Sequence, residues 1–105
     1  MEKIEKEGKI AVLYSPGYGA GWSTWAEDSQ KEALCMDARI VGPFLAGNKD
    51  AAIAAAVAMF PDLYTGGGRD LALVWVEKGC AFEIKEYDGS ESIHITMPWA
   101  NVIIL

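Results

Sequence analysis

The sequence predicts an α+β fold: an antiparallel β-meander of three to five strands with two or three helices packed on one face. Three observations carry this reading. The alanine-rich stretch from Asn48 to Pro61 has both a helical start and a helical stop signal. The chain beyond it changes to an apolar period of two. Within that second half, Asp88-Gly89 has the composition of a tight hairpin turn. With 105 residues, of which 51% are hydrophobic, a single domain spanning 1–105 with a real core is expected.

The elements follow in chain order. Residues 1–9 carry three acids and three lysines and read as a solvated start. The run "KIAVLYS" predicts a buried strand over 10–14, broken by Pro16 and Gly17. Next comes "YSPGYGAGWSTW", with three glycines, a proline and four aromatics in twelve positions. Thr24 and Glu27 have the spacing of a capping box, which predicts a helix over 25–35. Residues 36–46 are ambiguous: Ile40, Phe44 and Leu45 lie at helical spacing, but Gly42-Pro43 interrupts them.

Asn48 caps the clearest helix, Asp50 complements its dipole and Pro61 stops it. Ile53, Val57 and Phe60 are its expected core stripe. A loop, "PDLYTGGGRD", leads into "LALVWV", a strand apolar on both faces and so expected at the centre of the sheet. Phe82 and Ile84 alternate with polar neighbours, as do Ile93, Ile95 and Met97. Pro98 is expected to end that strand, and "NVIIL" to supply a short last one.

The net charge is −6, and residues 71–105 contribute half of it with five acids against two lysines. Without a basic stripe, direct binding to nucleic acid is disfavoured. An acidic surface suits a basic partner, or simple solubility. No apolar run is long enough to span a bilayer, and the start lacks an apolar leader, so a cytoplasmic location is expected. Cys35 and Cys80 are far apart, without a C-x-x-C pair, and read as small core residues.

Catalytic and cofactor signatures are weak. Gly17, Gly19 and Gly21 give G-x-G-x-G rather than a dinucleotide fingerprint, and no Lys-Ser or Lys-Thr follows. His94 is the only histidine, and G-x-S-x-G is absent. The expectation is therefore no enzyme, no cofactor and no metal. Glu86, Asp88 and Glu91 bring three carboxylates to one hairpin end without calcium-loop spacing, where a solvated turn is the ordinary reading. Glu86 shares strand parity with Phe82 and Ile84, points toward the core face and needs a partner; Arg69 is the natural one. Of the loop aromatics, some must pack on the sheet, while Tyr18, Trp22 and Trp25 are candidate anchors for a partner.

"YSPGYGAGWSTW", "MDARIV" and "DLYTGGGRDLALVWVEKGCAFEIKEYDGSESI" together resemble a small protein family widespread in tailed phages and prophages, over nearly the whole chain. The short acidic design also resembles the anti-defence inhibitors that phages carry, among them type II-A anti-CRISPR inhibitors of Cas9. This resemblance implies a non-enzymatic protein that binds a host defence effector in the host cytoplasm, with Cas9 or its guide-RNA complex as the expected partner. Tyr18, Trp22, Trp25, Arg69, Glu86, Asp88 and Glu91 would then be its contacts. An acidic face suits a channel whose Lys and Arg await phosphates, although −6 over 105 residues is only a moderate charge for a nucleic-acid mimic. The alternative is a small-ligand binder, holding a nucleotide-like signal between the glycine-rich loop, Arg69 and the hairpin end.

Overall fold

A computed structural model describes residues 1–96, so the expected Pro98 stop and "NVIIL" strand lie outside the described residues. The strands are β1 (Glu5–Lys6), β2 (Lys9–Tyr14), β3 (Ala72–Glu77), β4 (Ala81–Tyr87) and β5 (Ser90–Thr96). Helices α1 (Asp28–Met36), α2 (Ala38–Leu45) and α3 (Lys49–Met59) separate β2 from β3. The fold is α+β. Its strands form two antiparallel sheets rather than one continuous meander: β1-β2-β3, and the hairpin β4-β5.

The alternation along β2 explains why the sheet divides. Ala11 and Leu13 pair with Trp75 and Leu73. They pack with Trp22, Leu34, Ile40, Val41, Ala52 and Ala56, so α2 and α3 cover this face. Ile10 and Val12 pair with Val76 and Val74. This second face meets Cys35, Met36, Phe82, Ile84 and Ile93, so the hairpin covers it together with the end of α1. The three-stranded sheet is thus a middle layer, which is why "LALVWV" is apolar on both sides. In strand order, however, β3 sits at an edge and β2 at the centre. Leu13, Leu34 and Ile40 are fully buried, each contributing ~1.5–3 kcal/mol.

Local structure departs from expectation in two places, at Thr24 and in α3, and settles one stretch that the sequence leaves ambiguous. The capping box does not form. Thr24 lies in a single 3₁₀ turn, Ser23–Trp25, and its hydroxyl donates to Glu91 instead. Helix α1 therefore starts three residues later than expected, after Glu27, without a side-chain cap. The ambiguous stretch is helical: Asp37 accepts from Arg39 N as N-cap of α2, and Pro43 is accommodated inside it. The helix closes where Gly47 N and Asn48 N bond back to Phe44 O and Pro43 O. In α3, capped by Asn48 as expected, the buried positions are Ala52 and Ala56, while Val57 is exposed. Small side chains let α3 lie close against α2, so the alanine face wins over the larger residues.

The Asp88-Gly89 turn forms as expected. Tyr87 pairs with Ser90, and both turn residues have positive φ, 49° and 84°, the mark of a type I′ hairpin. Among the described residues, no helix is long and apolar enough to cross a membrane.

Candidate functional site

The glycine-rich segment leaves β2 at Ser15 and wraps around one side chain, Glu91. That carboxylate is 2% exposed. Its Oε1 accepts from Ser15 N at 2.8 Å. Its Oε2 accepts from Trp22 N at 2.7 Å, Thr24 N at 3.0 Å and Thr24 Oγ1 at 2.6 Å. The loop is a cup of N–H donors of the kind that holds phosphates, and the anion in it belongs to the chain itself.

Backbone bonds clamp the hairpin end onto this loop. Glu91 N donates to Ser15 O at 2.7 Å, and Gly19 N to Asp88 O at 2.7 Å. Ser90 Oγ donates to Pro16 O at 2.6 Å. The approach is close enough to require glycine. A Cβ on Gly89 would lie 2.2 Å from Ala20 N, and one on Gly67 would lie 2.2 Å from Gly21 O. The glycine-rich loop, the Gly66–Asp70 turn and the hairpin end therefore meet in one place.

Around this buried anchor sits an exposed face. Trp25 is 46% exposed, and its ring stacks on Tyr64 with centroids 5.7 Å apart. Its Nε1 donates to Glu86 Oε2 at 2.8 Å, and Gly89 N donates to the same oxygen at 3.0 Å. These two donors, the indole first, hold the Glu86 carboxyl below its usual 4.5. Tyr18 and Tyr87 are about three-quarters exposed. An open cleft of 380 Å³ is lined by Tyr18, Gly19, Trp25 and Asp88.

Apart from Arg69, the expected contact residues fall into two groups. Tyr18, Trp25, Glu86 and Asp88 are exposed and gathered around the hairpin end. Trp22 and Glu91 are interior. Trp22 is fully buried with its Nε1 donating to Leu34 O at 2.9 Å, so it is a core residue and not an exposed anchor. Glu91 is enclosed by loop donors and offers no carboxylate to a partner. The expected Arg69–Glu86 pair does not form; Glu86 Oε2 accepts instead from the Trp25 indole and the Gly89 amide. Arg69 stays exposed, and its backbone oxygen receives Lys49 Nζ. Glu86 and Glu91 face each other across the hairpin, and each like charge is balanced by its own set of N–H donors.

Strand parity contained the missing signal for Glu91. It shares a face of β5 with Ile93 and Ile95, just as Glu86 shares one with Phe82 and Ile84. Tyr64, which stacks on Trp25, carried no such signal. His94 is exposed, with Nε2 3.1 Å from Ser92 Oγ. Among the described residues, no group of three or more His, Cys, Asp or Glu is placed to hold a metal ion. Burial pushes the Cys35 thiol up to about 11, so it is a weak nucleophile. No family model, curated protein or solved structure matches this chain.

Proposed function

We propose that this protein acts without chemistry, by binding another protein through its exposed aromatic and acidic face. The partner in this reading is a host defence effector, and Cas9, alone or with its guide RNA, is the one the sequence resemblance implies. The observation that carries it is the cleft between Tyr18 and Trp25, edged by Asp88. Exposed Trp and Tyr are the residues that anchor interfaces. Trp25 is already fixed by its stack and its hydrogen bond, which lowers the entropy cost of association. The net charge of −6 would steer the face toward a basic groove.

The alternative, a small anionic ligand in the glycine-rich loop, has less support. The N–H donors of Ser15, Trp22 and Thr24 already bond Glu91. A pull-down with Cas9, in the presence and absence of guide RNA, tests the proposal. A complex that weakens with Trp25→Ala is expected; no complex in either state overturns it.

A further inference from the structure

We infer that the cleft between Tyr18, Gly19, Trp25 and Asp88 receives an arginine side chain from a basic segment of the partner. The inference rests on the binding role proposed above and names what the face recognises. Tyr18, Trp25 and Asp88, all exposed, line an open 380 Å³ space together with Gly19, and among the described residues no Lys or Arg lines it. Aromatic faces attract cations through the ring quadrupole, and tryptophan does so best.

The Trp25 indole is tuned for this. Its N–H is bonded to the Glu86 carboxylate at 2.8 Å. A hydrogen bond to an anion raises the electron density of the ring and so strengthens its attraction for a cation. The same carboxylate adds a second negative charge beside that of Asp88. Glu86 is held ionised by Trp25 Nε1 and Gly89 N rather than by a cation of its own. The cleft therefore has negative charge that no base among the described residues is paired with.

Guanidinium fits better than ammonium. It is planar, so it lies flat on an indole, and its fork can meet the Asp88 carboxylate at two points. The walls are also held in place. Gly19 N is bonded to Asp88 O at 2.7 Å, which ties the Tyr18 side of the cleft to its acidic side. Trp25 is stacked on Tyr64.

The test is an amide and indole NMR titration of the full chain with N-acetyl hexa-arginine amide, against hexa-lysine and the neutral isostere hexa-citrulline. Expected are shifts of the Trp25 indole N–H and the Gly19 and Gly89 amides with hexa-arginine, weaker shifts with hexa-lysine and none with hexa-citrulline. Affinity should fall about tenfold for Trp25→Ala or Asp88→Asn, and it should fall with added salt. Tyr18→Ala, at an exposed position, gives a second variant that leaves the fold intact. Equal responses to hexa-citrulline and hexa-arginine, equal responses to lysine and arginine, or shifts confined to other residues would each overturn the assignment. Arginine binding without any Cas9 complex would remove the effector and leave the cleft assignment standing. A Cas9 complex with no peptide response at the cleft would do the reverse.

Discussion

Replacing Glu91 tests the organisation of the whole face. Glu91→Ala strands three backbone N–H groups and one hydroxyl in a site that is 2% exposed. Each unsatisfied buried donor costs ~1–3 kcal/mol. Relief of the carboxylate's own desolvation offsets part of that sum. The expected net loss is ~3–5 kcal/mol, the range for breaking a buried charged network, against a total stability of ~5–15 kcal/mol for a domain. Glu91→Gln keeps the shape. Its oxygen can replace Oε2 with its three donors, but its amide then opposes the Ser15 N–H. One bond is lost and three become neutral, so about half the alanine effect is expected. Urea unfolding at constant m-value measures both, and hydrogen exchange at Ser15, Trp22 and Thr24 should accelerate. A loss below ~1 kcal/mol for alanine, smaller than one unmade buried hydrogen bond, would refute the reasoning. So would equal losses for the two variants.

Other predictions follow from single contacts. The Trp25 indole N–H resonance should titrate with Glu86 at a midpoint below 4.5. Because folding lowers that carboxyl, its contribution is complete above the ordinary glutamate value and is lost as pH falls through the folded midpoint; a midpoint at or above 4.5 contradicts the bond. Gly67→Ala places a methyl against the Gly21 carbonyl and should destabilise by ~1–3 kcal/mol. Gly42→Ala in α2, where a Cβ meets nothing within 4 Å, should stabilise by ~0.5–1 kcal/mol; thermal melts of the pair check both signs. Cys35, 5% exposed with a thiol raised to about 11, should resist iodoacetamide in native buffer and react after unfolding. Rapid native alkylation at Cys35 would contradict its burial.

Elements set by neighbours in sequence were legible before the fold was. The Asp88-Gly89 turn, the Asn48 cap and the end of α3 just before Pro61 depend on interactions a few residues apart. The two-faced apolar run in β3 announced a buried layer. It pointed wrongly to β3 as the central strand, since sheet order depends on the partner of β2 some sixty residues away.

The site divides along the same line. Tyr18, Trp25, Glu86 and Asp88 could be nominated from residue type, and they lie on one exposed face. Trp22 and Glu91 were nominated on the same grounds and belong to the interior. The glycines, the acid and the hydroxyl were all present in the sequence, but the bonds that join Glu91 to the loop span 67 to 76 residues. No local pattern encodes a contact of that span. Only closure of the hairpin over the sheet brings the carboxylate to the donors, because a buried charge must find its hydrogen-bond partners wherever the packed chain supplies them.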